Sequence, residues 1–338
     1  MAKILEQFPL GTPPWKTFDP FLFCVHHNDA YPAGNAQHGP AAPLTGRRIG
    51  QDFEGIDGWR MYHGDVVPGF PAHPHRGFET ITVTSQGYID HADSMGAAAR
   101  YGNGDVQWMT AGNGVMHAEM FPLLRKDGEN PMDFFQIWLN LPREDKRVPP
   151  YFSMFWSHQV PKLVVHDDQG RASEIRVVAG ALGDATPPAP PPNSWAARRE
   201  ADIGLWTARL LPGAQWTLPA ANPGTQRTIY FFEGASLRLD DHPVTVGQGV
   251  RVQADTPLTL TNGLADARVL VLQGRPIGEP VVKHGPFVMN TVGEIREAYA
   301  DYQRTRFGGW PWPGSDPVHG GKFERFARHA DGREERPA

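Results

Sequence analysis

The stretch His73-Pro74-His75-Arg76-Gly77-Phe78-Glu79-Thr80 carries two imidazoles two residues apart. In an extended chain, positions i and i+2 point to the same face, about 6.6 Å apart along the strand. Further on, His117-Ala118-Glu119 repeats the arrangement with one imidazole and one carboxylate. Two such strands side by side inside a barrel would bring His73, His75, His117 and Glu119 around a single ion. This mixed nitrogen and oxygen set suits Fe(II), Mn(II), Ni(II) or Cu(II). Positions left open for water, substrate or O2 would make the site catalytic rather than structural. Glu79, four residues after His75, is a second candidate carboxylate. On spacing it is a ligand in place of Glu119, a group that holds an imidazole, or a carboxylate paired with Arg76 or Arg100. The chain has 14 histidines, and outside these pairs they read as ordinary surface or core residues.

Outward from this stretch the sequence reads as mostly β. Short apolar and β-branched runs such as Thr80–Thr84, Val106–Met109 and Phe134–Leu139 are punctuated by glycine. The 37 glycines and 33 prolines exceed average usage without a collagen period, as many turns between short strands require. This spacing predicts sandwiches or barrels. Residues 1–50 show little periodicity and read as extended segments draped on a core. The run Arg143–Pro150, charged and then proline-bearing, reads as a domain exit, and Thr186–Pro192 as a polyproline spacer or surface loop. Near the end, Thr291 followed by Glu294 is a capping box. Ile295, Ala298, Tyr299 and Tyr302 then form one apolar helical face, and Gly308-Gly309 supplies a stop. The last twenty residues are polar and expected to be loose.

Laying Gly87 on Gly234 reveals a weak internal repeat, with Gly102-Asn103-Gly104 matching Gly247-Gln248-Gly249 after a two-residue shift. Two copies of one β unit imply a double barrel. In the second copy His73 falls on Ala220, His75 on Asn222, Glu79 on Gln226, His117 on Asn262 and Glu119 on Leu264. No ligand is repeated, so the second barrel is expected to be metal-free and structural. The domains then run from 1 to 160, with the metal, and from 161 to 338, with the helix at about 291–307 and a polar tail. Among other candidates, Trp108 and Met109 fit core packing better than a cleft. Gln107 could point inward near the metal, and His91, Asp93 and Arg100 could form the barrel mouth. Trp310-Pro311-Trp312-Pro313 is the best exposed patch for self-association.

A net charge of −5 gives no basic excess with which to grip nucleic acid or an anionic membrane. One cysteine, Cys24, excludes an intramolecular disulfide framework and a cysteine zinc cluster. No signal peptide is expected in Met1–Pro20, and no apolar stretch reaches the ~20 residues of a membrane span. A cytoplasmic location fits, with the nucleus also open. No Ser-His-Asp order, P-loop or dinucleotide-binding glycine pattern is present.

The string His73–Thr80 resembles the signature of the pirin family, within the cupin superfamily. So does Gly104-Asp105-Val106-Gln107-Trp108-Met109-Thr110-Ala111-Gly112, continuing to Gly114 and His117-Ala118-Glu119. Phe135–Pro142 and Gly285–Thr291 are similar to later segments of that family. The likeness spans about Arg47 to Phe307, with Asn113 standing where many relatives carry a basic residue. It implies a bicupin: two tandem jelly-roll β-barrels with a C-terminal helix packed on them. It also implies one mononuclear metal in the first barrel, held by His73, His75, His117 and Glu119. The metal would be Fe(II) first, with Mn, Ni, Cu, Co or Zn as alternatives. Relatives include quercetin 2,3-dioxygenases, which open a flavonol ring with O2 and release carbon monoxide. The resemblance thus implies a flavonol-like substrate and O2, with Glu119 taking the substrate proton. Other relatives act as metal-dependent regulators through protein partners, which is the alternative function.

Overall fold

A computed structural model describes residues 4–338. The chain divides into two compact units that are discontinuous in sequence. One comprises residues up to Val25, Ile137–Asn140 and Gln159–Gly278; the other comprises His26–Gln136, Leu141–His158 and Glu279–Ala338. The second of these carries the paired histidines and is called here the first barrel.

The first barrel has two sheets. One orders Tyr151–Phe155, Val106–Thr110, Phe78–Gln86, Asn130–Asn140 and Phe21–Tyr31. The other orders Glu334–Glu335, Phe326–Arg328, Ala98–Gly102, Tyr88–Asp93, Val115–Met120 and Gly69–His75. Ile89, Ala99 and Tyr101 of one sheet pack with Met132, Phe134, Phe152 and Met154 of the other in a single core. Every residue of Ala98–Gly102, Val106–Thr110 and Val115–Met120 is buried. Both faces of these strands are therefore covered, and they read as short unbroken runs rather than as alternation.

The second barrel repeats the order of the central strands in sheets of different size. A seven-stranded sheet orders Ile4–Pro9, Gln248–Gln253, Gln226–Glu233, Ala267–Gly274, Gly204–Leu210, Ala172–Ala179 and Lys162–His166. A four-stranded sheet orders Gln215–Leu218, Leu258–Asn262, Ser236–Leu239 and His242–Thr245. The strands Gln215–Leu218 and Ser236–Leu239 alternate exposed and buried residues, the pattern of a sheet wet on one face. Trp206, Trp216, Ile229, Phe231 and Leu260 lie in one apolar cluster.

The internal repeat is visible at its anchors. Gly87 (φ 86°) joins Phe78–Gln86 to Tyr88–Asp93, and Gly234 (φ 134°) joins Gln226–Glu233 to Ser236–Leu239. Each turn uses backbone freedom that glycine supplies without steric cost. The helix forms over Val292–Thr305. The Thr291 hydroxyl accepts from the Glu294 N–H, and the Glu294 carboxylate accepts from the Asn290 N–H. Ile295 and Ala298 pack with Phe287 and Met289. The helix ends before the glycines, because Arg306 already takes the left-handed conformation at φ 47°.

Four expectations need correction. Residues 1–50 hold two paired strands, Ile4–Pro9 and Phe21–Tyr31. After Arg143–Pro150 the chain returns to pair Tyr151–Phe155 with Val106–Thr110, so the exit comes at Gln159. The helix and tail, placed by sequence with residues 161–338, belong to the first barrel. Nor is the tail loose. Phe326–Arg328 pairs with Ala98–Arg100, and Arg100 donates to the carbonyls of Gly320 (2.8 Å) and Lys322. Trp312 Nε1 donates to the Asp93 carbonyl at 2.8 Å, and both Trp310 and Trp312 are half-buried. Among the described residues, no helix is long and apolar enough to cross a membrane.

Candidate metal centre

The strands Gly69–His75 and Val115–Met120 pair so that His73 lies directly opposite His117, and His75 opposite Val115. A register irregularity between Phe70 and His73 sets this phase. The ligating nitrogens of His73, His75 and His117 gather within 4.8 Å of one another. Among the described residues this is the one such group. Glu119 stands beside it, with Oε2 3.9 Å from His117 Nε2.

Glu79 lies elsewhere. Gly77 adopts φ 85°, and a Cβ there would meet the Val288 carbonyl oxygen at 2.0 Å. The chain turns at this glycine, so Glu79 falls on Phe78–Gln86 in the opposite sheet rather than continuing the His75 strand. Glu79 accepts a 2.6 Å hydrogen bond from the Thr110 hydroxyl. Three residues on, Thr82 reaches Glu119, so Glu79 takes the other face of the strand. Arg76 and Arg100 pair with Asp301 and Asp90.

The three imidazoles suit a metal. His117 is fully buried, and neither of its ring nitrogens has a hydrogen-bond partner. Such burial is costly unless something satisfies the lone pair. His73 Nδ1 lies 2.9 Å from the Pro71 carbonyl. Donation there fixes the tautomer and leaves Nε2 as the free donor atom. Burial, and then the neighbouring histidines, hold His75 and His117 well below the usual imidazole range; burial brings His73 to about 4. All three are neutral near pH 7, the state in which imidazole binds a metal.

Glu119 is held from three sides. The Thr82 hydroxyl donates to Oε1 at 3.1 Å, Gln136 Nε2 donates to Oε2 at 2.8 Å, and Tyr101 hydrogen-bonds the carboxyl as well. Burial raises its affinity for a proton, opposed by His91 and these donors. Across the sheet, His91 pairs in register with Glu119, and Asp93 with His117. His91 Nε2 lies 3.2 Å from Asp93 Oδ2, and its ring stacks on Phe152 at 5.2 Å. His91 and Asp93 are therefore wall rather than mouth. Arg100 forms a buried ion pair with Asp90 under the tail. Trp108 and Met109 are core, and Gln107 Oε1, 3.2 Å from the Tyr101 hydroxyl, shares that hydroxyl's one proton with Glu119. On the outer side, Phe70 stands 6.4 Å from His73 and packs with Tyr62 and Phe121.

The sequence reading did not find Thr82, Gln136 or Tyr101. Gln136 had a signal: a lone amide within the apolar run Phe134–Leu139. His91-Ala92-Asp93 shows the same i, i+2 spacing as the ligand pairs.

Comparison with known proteins bears on this geometry. The Pirin family model matches residues 6–139, and the Pirin C-terminal cupin domain matches residues 205–308. A pirin-like protein of Caulobacter vibrioides is 33% identical over 301 residues, covering 88% of this chain and 91% of that protein. The chain belongs to the pirin family. Rat pirin is 34% identical over 258 residues, 73% of this chain and 80% of its own length. A Pseudomonas aeruginosa protein provisionally named a quercetin 2,3-dioxygenase is 34% identical over 239 residues, 71% of this chain and 79% of that protein. The crystal structure of quercetin 2,3-dioxygenase from Acinetobacter baumannii aligns with a TM-score of 0.69 and 28% identity, covering 91% of this chain and 99% of that one. The two mostly β units are the two cupin barrels of a pirin-family bicupin.

Proposed function

We propose that this pirin-family protein is a mononuclear metal-dependent dioxygenase acting on a flavonol-type substrate. The observation that carries the reading is the cluster of three neutral imidazoles, buried at His75 and His117 and half-buried at His73, beside a buried carboxylate. The likeness to the Acinetobacter quercetin 2,3-dioxygenase structure supports the reaction class. His73, His75, His117 and Glu119 would hold the ion, with Fe(II) the proposed metal. When bound, it would supply Lewis acidity toward the substrate's enolic oxygen and a centre for reaction with O2.

The chain's own residues have separate tasks. His73 and His75 are aimed by hydrogen bonds to the backbone of Pro71 and Pro286. Glu119 Oε2, on the side toward His117, would take the proton from the substrate hydroxyl. Burial makes it a better base than an exposed carboxylate. Thr82 and Gln136 keep that carboxylate from swinging away. Half-buried Phe70 offers aromatic surface beside His73 on which a flat flavonol could pack, with Tyr62 and Phe121 buried behind it. Stacked Phe152 and the surrounding apolar core keep water from the inner side.

The test is O2 uptake and carbon monoxide release with quercetin, comparing iron-loaded and chelated protein. The reading expects stoichiometric uptake and release in the loaded protein and none after chelation. A metal-loaded protein inert toward a panel of flavonols would favour the regulatory alternative.

A further inference from the structure

A second site lies on the first barrel, at the end where the ligand strands turn. Arg76 follows His75 directly, and the turn Asn113-Gly114 leads into the strand that carries His117. Between this turn and the C-terminal end of the helix is a cavity of about 440 Å³. Its walls include Arg76, Arg147, Arg304, Asn113, Asp301 and Phe307.

The charge in this cavity is unbalanced. Arg76 is almost fully buried; it donates to Asp301 Oδ2 at 2.9 Å and to Asn113 Oδ1, and its Nε–H has no acceptor. Asp301 is shared, because Arg304 donates to its other oxygen at 2.8 Å. Among the described residues Arg147 pairs with Glu297, outside the lining, through two largely exposed side chains. Exposed ion pairs of this kind contribute little and exchange readily. Three guanidiniums thus border a concavity whose lining holds one carboxylate. Guanidinium forks match carboxylate and phosphate oxygens, often two bonds at a time.

The apolar part of the lining is strained, and the Arg76 guanidinium stands 5.5 Å over its Phe307 ring. Arg306 and Phe307 are consecutive non-glycine residues with left-handed φ of 47° and 46°. Such strain collects at ligand clamps. The Phe307 ring fits only because residue 114 is glycine; a Cβ there would lie 2.6 Å from the ring. Phe307, Pro149 and Pro150 offer a surface for a ring or short carbon chain.

We propose that this cavity binds a small organic oxyanion, a carboxylate or phosphate head on an apolar body. Arg147 and Arg304 would grip the head, and Phe307 would pack the body. Binding does not depend on the metal or on the reaction proposed above.

Isothermal titration at low ionic strength tests this on the full chain with phenyl phosphate, benzoate and inorganic phosphate. The expected result is one saturable site for at least one probe, with the same affinity before and after chelation. Affinity should fall tenfold or more in Arg147→Gln/Arg304→Gln, two exposed positions whose replacement leaves the core intact. Binding of the two phosphates alone assigns a phosphate head; binding of benzoate alone assigns a carboxylate. No saturable binding by any probe, or unchanged affinity in the double variant, overturns the proposal.

Discussion

The two barrels share an order of strands and differ in what fills them. The second is packed with Trp206, Trp216, Ile229, Phe231 and Leu260 and has an outer sheet that alternates between core and water. The first places His73, His75, His117, Glu119, His91 and Asp93 on three adjacent strands; Tyr88–Asp93 and Val115–Met120 are almost wholly buried, and Gly69–His75, at the end of the sheet, is mostly half-buried. Burying polar groups demands partners, and the first barrel supplies them with Thr82, Gln136, Tyr101 and buried pairs such as Arg100–Asp90. Buried His117 keeps both ring nitrogens without a hydrogen-bond partner. The corresponding positions in the second copy show the contrast. Asn262 donates to the carbonyls of Leu210, Leu211 and Ala265, and Leu264 is 95% exposed. The same framework gathers imidazoles and a carboxylate in one copy and closes a loop in the other.

The largest expected effect separates the two carboxylates of the first barrel. Glu119→Gln should lower flavonol oxidation by at least about 100-fold, because its amide cannot accept the proton, and should weaken metal binding. Glu79→Gln should keep its metal, since that side chain faces Thr110 and not the imidazoles. Full loading in Glu119→Gln with loss in Glu79→Gln, measured side by side by elemental analysis, would reverse the assignment.

Removing the tail beyond Gly309 comes next. It deletes the strand Phe326–Arg328 and strips Arg100 and Asp90 of hydrogen bonds from Gly320, Lys322 and His319. At about 1.5–3 kcal/mol for each bond to a charged group, the loss should reach about 3 kcal/mol or more. Denaturant unfolding of the truncated chain checks this; an unchanged midpoint would mean that the tail merely lies on the surface.

A smaller effect probes the second barrel. Asn262→Ala leaves three carbonyls without their donor and should cost about 1–3 kcal/mol. Metal content and turnover should stay at the level of the parent. A loss of metal in this variant would break the division of labour between the barrels.

Much of this was legible in the sequence. Period-two spacing placed His73 with His75, and His117 with Glu119, because alternation in a strand is local geometry. The capping box and apolar face of Val292–Thr305 are equally local. Glu79 misled because counting by twos assumes an unbroken strand, and Gly77 breaks it. The strand Phe21–Tyr31 and the tail strand Phe326–Arg328 were missed because their partners, Asn130–Asn140 and Ala98–Gly102, are distant in the chain. The Thr82–Glu119–Gln136 network was hidden for the same reason: its members come from three strands.

The central claim is that one barrel holds one metal through the imidazole cluster while the fold stands on apolar packing. Metal analysis of the full chain reconstituted with Fe(II) under anaerobic conditions tests it most directly, beside His117→Ala and with circular dichroism on both. The account predicts one equivalent in the parent, a small fraction of that in the variant, and matching native spectra. Two equivalents or none in the parent, or collapse of the spectrum in His117→Ala, would contradict it.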